Sequence, residues 1–247
     1  ARRQVKRIML ACARPPPAPA GTSLPRADTT RGPKWVRAAS RPLDETGARR
    51  LSRICQFTVA SARLALGEAG LDAGGDLALL VGTEFGDMVS TIAFVDGYLR
   101  GGPVGVSPLL FPHTVMNTMA ATTAIAVSAK DLSLTLNTWT VAGELAIARG
   151  AAMLRPGRIR ACLAGGADGP PAMAGQTIRE IGGGGDVRSD GAGFVVLESL
   201  ESAQARGAAI LAEIVGLAWR ALPARPHGIG RGADSKAIAA ALAEAGA

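Results

Sequence analysis

The chain has 247 residues, enough to bury one substantial core without dividing into two domains. Hydrophobic residues make up 48%, with 32 glycines and only 4% aromatics, so the texture is globular and α/β, and a base-stacking platform is excluded. The net charge of +7 comes mostly from arginine; with no basic run interleaved with aromatics it reads as a solvated basic face that suits an acidic protein partner rather than nucleic acid.

No stretch reaches the ~20 apolar residues of a membrane helix, and Pro15-Pro16-Pro17 after the short apolar run Ile8 to Ala13 argues against a signal peptide. No membrane association is expected, and cytoplasm is the expected location. Cys12, Cys55 and Cys162 are odd in number, widely spaced and in apolar contexts, which reads as buried free thiols and not as a disulfide frame or a metal site.

Val5 to Ala13 reads as an opening strand, and residues 14–33 as an irregular Pro/Gly-rich loop. From Asp44 to Gly70 the apolar positions Leu51, Ile54, Cys55, Val59, Ala62 and Leu66 recur at three- and four-residue steps, which predicts a long amphipathic helix stopped by Gly70. Leu77 to Gly82 is a short apolar strand, and the turn from Gly82 to Gly86 leads into a second helix ending near Leu99. The turn lacks the G-x-G-x-x-G spacing of a dinucleotide site. Gly101 to Pro112 is a loop, and Thr114 to Val127 reads as a helix whose alanines allow close packing.

The stretch from Leu132 to Asp168 then reads as strand, tight corner, small-residue helix and strand without a gap. The corner is Asn137-Thr138-Trp139-Thr140, and the second strand ends Gly165-Gly166-Ala167-Asp168 with the small residues that close backbone approach requires. Four glycines at 182–185 suggest a loop, followed by a strand from Gly193 to Glu198 and a closing helix over 234–246.

This pattern resembles the β-ketoacyl synthases of the thiolase superfamily. Thr138-Trp139-Thr140 followed by Ala146-Ile147, then Met153 to Gly157, then Ala164 to Asp168 is similar to that family's nucleophile elbow. Ser107-Pro108, Pro112 and Asn117 resemble its S-P-x-x-x-P-x-x-x-x-N segment, and Leu197-Glu198-Ser199-Leu200 through Arg206-Gly207 to Ala212-Glu213 resembles a further family stretch. The implied fold is α/β and thiolase-like, a mixed five-stranded sheet with helices on both faces, reduced to the N-terminal half. On that reading residues 1–247 form a single β-ketoacyl-synthase-like N-terminal domain, and the histidines of the second half of such enzymes have no counterpart before Ala247. The resemblance implies no cofactor and no metal.

Counting back from Asp168 places Thr140 where the family has its catalytic cysteine, or Trp139 if the register slips by one. Neither is a competent nucleophile: a hydroxyl needs an adjacent general base, and none is apparent. Thr140 suits helix capping, with anion binding and covalent chemistry as alternatives. The only histidines, His113 and His227, match no catalytic position.

The family's interface segment falls on Phe111, Thr114, Val115, Met116 and Met119, which the resemblance makes candidates for setting the depth of a partner's acyl tunnel; ordinary core packing is the alternative reading. The expected role is that of a chain-length-factor-like subunit with no catalytic residue of its own. Its expected partners are a catalytic ketosynthase in a heterodimer and, through that ketosynthase, an acyl carrier protein with its bound acyl chain. The competing expectation is a cysteine-less decarboxylase, acyl transferase or hydrolase, for which His113, His227, Glu84, Asp87 or Asp168 would supply the acid or base.

Overall fold

The computed structural model describes residues 8–12, 48–72, 74, 76–138, 141–180, 190–219 and 236–246. The expected loop over 14–33, the four-glycine run, His227 and the corner pair Trp139 and Thr140 lie outside the described residues.

Six strands form one mixed sheet: β1 (Ile8–Cys12), β2 (Leu77–Thr83), β3 (Ser133–Asn137), β4 (Ala161–Asp168), β5 (Gly191–Ser199) and β6 (Ala212–Ile214), in the order β3-β2-β4-β5-β1-β6. β2 runs parallel to both β3 and β4, whereas β5, β1 and β6 are joined to the sheet antiparallel. The mixed sheet with helices on both faces is the expected architecture. The strand beyond the five expected is β6, whose three residues lie at the sheet edge against β1.

β2 is buried at all seven positions because strands flank it on both sides and helices cover both faces, so it reads as an unbroken apolar run. One face carries α1 (Arg53–Ala69) and α3 (Thr118–Ala126), which bury Cys55, Phe57, Leu66, Met119 and Val127 against Leu79, Val81, Leu163 and Val196. The other face carries α4 (Ala142–Leu154), which packs Ala146, Ala151 and Leu154 on Leu80, Cys162, Ala164 and Leu197. The alternation of Leu79 and Leu80 to opposite layers is the two-residue period of a strand.

α1 is capped by Ser52, whose hydroxyl accepts from the Cys55 amide at 3.4 Å, and it ends at Gly70 in the left-handed region at φ 58°. α2 (Met88–Gly101) starts at Asp87, whose Oδ1 accepts from the Ser90 amide at 3.2 Å. Among its residues only Ser90 is buried. The helix expected from Thr114 starts at Thr118 instead. Ahead of it Phe111–His113 forms a 3-10 turn, the Thr114 hydroxyl donates to the Phe111 carbonyl at 2.8 Å, and Pro112 has no amide to give a regular helix.

α5 (Ala172–Glu180) follows β4, and α6 (Leu200–Ala205) follows β5. Glu198 at the end of β5 is buried and accepts from Arg206 Nε at 2.9 Å, while Arg206 also donates to the Ala69 carbonyl at 2.8 Å. That pair joins β5 to the C-terminal end of α1. The last helix, α7 (Lys236–Ala245), is tied by Glu244, which accepts from the Leu217 amide at 2.9 Å and pairs with Arg155. Among the described residues no helix is long and apolar enough to cross a membrane.

Candidate functional site at the elbow end of the sheet

The C-terminal ends of the three parallel strands meet at Thr83, Asn137 and Asp168. The turn after β2 is held from both sides. From β4, Asp168 Oδ1 accepts from the Thr83 hydroxyl at 2.7 Å and from the amides of Glu84 at 2.9 Å and Phe85 at 3.0 Å. From β3, the Asn137 side-chain amide donates to the carbonyls of Thr83 at 3.1 Å and Glu84 at 3.0 Å, and the Thr138 amide donates to the Thr83 carbonyl at 3.2 Å. Thr83 Oγ1 in turn accepts from the Gly86 amide at 2.9 Å. The entry to the elbow is therefore a rigid hydrogen-bonded frame. From the sequence the Gly-Gly-Ala-Asp strand end reads as architecture and Asp168 as one of several candidate acids or bases; its role as the clamp of a turn some 85 residues earlier has no local signal.

The elbow helix α4 sits directly on the sheet. A Cβ at Gly82 would collide with the Ala142 carbonyl, and one at Gly166 would lie 3.1 Å from the Gly143 Cα. Glycine at these positions is what lets backbone meet backbone, as the small-residue strand end predicts. The N-cap residue of α4 is Val141, exposed at 53%, and its side chain makes no capping hydrogen bond. Thr140, which the sequence suggests as the cap of this helix, lies outside the described residues.

The five tunnel candidates separate in space. Met119 is fully buried in the α1/α3 core layer. Phe111, Val115 and Met116 are exposed, and Thr114 is half-buried. Met116 lies over the turn after β2, since a Cβ at Gly86, which has φ 64°, would come within 2.8 Å of its sulfur. The Phe111 ring is 6.0 Å from that of Phe94 on α2, so the 3-10 turn and α2 share one surface. On α2 and in the segment that follows it, Val95, Tyr98, Leu99, Val104 and Leu109 are large, apolar and exposed.

Of the candidate acids and bases, Asp168 is spent on the turn, and Asp87 caps α2 and lies 3.6 Å from His113 Nδ1. Cys55 and Cys162 are buried free thiols, as expected. Burial pushes Cys162 up to about 12 and also raises Cys55, where hydrogen bonds with Ser52, Thr122 and Thr118 oppose the rise and the Asp87 charge adds to it. Neither supplies a thiolate at neutral pH.

A mixed sheet covered on both faces, with parallel strands feeding a glycine-seated elbow helix, defines a thiolase-type condensing-enzyme layer. The family model described as β-ketoacyl synthase, N-terminal domain, matches residues 36–177, and the chain belongs to that family. The chain is 31% identical over 232 residues to the 3-oxoacyl-[acyl-carrier-protein] synthase 2 of Staphylococcus aureus, covering 83% of this chain and 55% of that protein. It spans about half the length of the curated relatives it matches. Among solved structures it is similar to the ishigamide ketosynthase/chain length factor, with a TM-score of 0.71 and 25% identity over 98% of this chain and 70% of that one. A β-ketoacyl synthase from Burkholderia phymatum shares the fold with a TM-score of 0.69 at 23% identity, over 82% of this chain and 56% of that one.

Proposed function

We propose that this chain is a non-catalytic, chain-length-factor-like subunit that pairs with an active ketosynthase and shapes the acyl tunnel during type II polyketide, polyene or fatty-acid-like chain elongation. The observation that carries the reading is that Phe111, Val115 and Met116 are all exposed, with Met116 over the turn after β2 and Phe111 against Phe94 of α2, a helix whose Tyr98 and Leu99 are exposed as well. Large apolar side chains left uncovered in this way fit a protein interface of the obligate kind. The sequence adds that the count back from Asp168 puts Thr140, or Trp139 with a slip of one, where the resemblance expects a cysteine, so bond making falls to the partner. The similarity to a ketosynthase/chain length factor supports the same assignment, and the acyl carrier protein in the name of the Staphylococcus relative supports a carrier-bound acyl chain as the substrate of the complex.

In this role Met116 and Phe111 do the work. Met116 rests on the Gly86 turn and Phe111 on Phe94, so each is fixed from behind while its outer face meets the partner. A bulkier side chain at either position shortens the space for an acyl chain and a smaller one lengthens it. Co-expression with a ketosynthase, mass measurement of the complex and analysis of its products test this. A heterodimer is expected, with Met116→Trp giving shorter products and Phe111→Ala longer ones, while condensation continues. The purified chain joining two acyl units by itself would refute the reading, as would unchanged products across these variants.

A further inference from the structure

Three side chains that the elbow does not use converge beneath the interface surface. Cys55 lies in the first turn of α1, Asp87 caps α2, and His113 closes the 3-10 turn that carries Phe111. The Cys55 sulfur, an Asp87 carboxylate oxygen and a His113 ring nitrogen all lie within 4.8 Å of one another. Cys55 is fully buried, and the Asp87 and His113 side chains are 3% and 13% exposed. Asp87 Oδ1 is taken by the Ser90 amide, but Asp87 Oδ2 and His113 Nδ1 have no hydrogen-bond partner among the described residues. Two buried polar atoms facing each other at 3.6 Å without a partner are costly unless something lies between them.

We propose that Cys55, Asp87 and His113 form a binding site for a zinc-class divalent cation. The spacing and the donor chemistry agree. Two ligands on a tetrahedral zinc at its usual bond lengths stand about 3.3–3.6 Å apart, which is the Asp87–His113 separation as it stands. Cys55 has to close by no more than about 1 Å to reach the same geometry, given bond lengths of this class. One sulfur, one imidazole nitrogen and one carboxylate oxygen make a borderline-soft set suited to zinc or cobalt and poor for magnesium or calcium, which want oxygen cages. A cavity of about 80 Å³ lies on the Asp87 side of the cluster, lined also by Ser52, Ser90 and Asp190 but not by Cys55 or His113. On binding, the Cys55 thiol gives its proton to water and the sulfur takes the metal. The free-thiol expectation for Cys55 then describes the metal-free protein alone.

The consequence is mechanical. The three ligands come from α1, the start of α2 and the Phe111–His113 turn, so the cation staples that turn to the core. This inference does not depend on the chain-length-factor reading, and its test measures metal and not product.

The test is titration of the chelator-treated 247-residue chain with Co2+, followed by absorption. One equivalent is expected to bind with a thiolate-to-cobalt charge-transfer band in the near ultraviolet and tetrahedral bands in the visible, and Zn2+ should erase both. Cys55→Ser should abolish the charge-transfer band, whereas Cys162→Ser and Cys12→Ser should keep it. Asp87→Asn and His113→Gln should each weaken Co2+ binding at least tenfold; being near-isosteric, they keep the test alive should Cys55→Ser fail to fold. Absence of the band in folded protein, or its persistence in folded Cys55→Ser, would overturn the proposal. So would unchanged affinity in both isosteric variants.

Discussion

Replacing Asp168 with alanine removes one acceptor from three donors, and the structure sets the size of the loss. Thr83 is fully buried, so its hydroxyl finds no water and an unsatisfied donor there costs about 1–3 kcal/mol. The amides of Glu84 and Phe85 belong to half-exposed residues and regain water, so each contributes about 0.5–1.5 kcal/mol. The sum centres on about 4 kcal/mol, which at a urea slope of about 2 kcal/mol/M lowers the midpoint by about 2 M. Asp168→Asn keeps an oxygen in the Oδ1 position for all three donors but sets an NH2 where Oδ2 accepts from the Glu84 amide at 3.1 Å, so it loses that second contact and the charge assistance, about 1–2 kcal/mol. Urea unfolding of both variants at pH 7 measures this, with amide exchange at Thr138 reporting whether the frame has loosened. Equal losses for alanine and asparagine, or an alanine midpoint within about 0.3 M of wild type at an unchanged slope, would refute the clamp.

Arg206→Ala strands the buried Glu198 carboxylate and should cost about 3–5 kcal/mol, whereas the double change Arg206→Met with Glu198→Gln should recover much of it in the same urea assay. Gly82→Val drives side chain into the Ala142 carbonyl and should cost at least about 1–3 kcal/mol by displacing the elbow helix, read by urea unfolding and by loss of near-ultraviolet dichroism. Glu244 has its carboxyl held below the usual range by the Leu217 amide and by Arg155. The α7 contact is therefore intact above the ordinary carboxylate range and lost as pH falls through the lowered folded value; exchange of the Leu217 amide should rise there, and Glu244→Gln should remove the pH dependence. The Cys162 thiol, pushed up by burial to about 12, stabilises the fold below the ordinary thiol range and loses that contribution as pH climbs toward 12. At pH 8 a thiol reagent should modify it only as fast as the protein unfolds.

The sequence by itself determined the elements whose cause is local or periodic. Helix α1 follows from apolar steps of three and four residues stopped by Gly70, whereas its start at Arg53 behind the Ser52 cap, within the stretch expected from Asp44, came from the structure. The unbroken apolar run of β2 marked a strand covered on both faces, and the glycines at 165 and 166 marked a close approach that Gly143 and Gly193 make from either side. The absence of a cysteine from the corner Asn137 to Thr140 is likewise a fact of sequence. Tertiary structure alone decided the rest, because the groups involved are far apart along the chain and their pairing carries no periodic signal. It brought Asp168 to the Glu84 turn and Arg206 to Ala69, split the five interface candidates into a buried Met119 and an outward-facing set, and delayed α3 to Thr118. It also set Cys55, Asp87 and His113 around one point. A side chain's role depends on what burial withholds from it, and only the packed layers decide which polar atoms lose their water and must find each other.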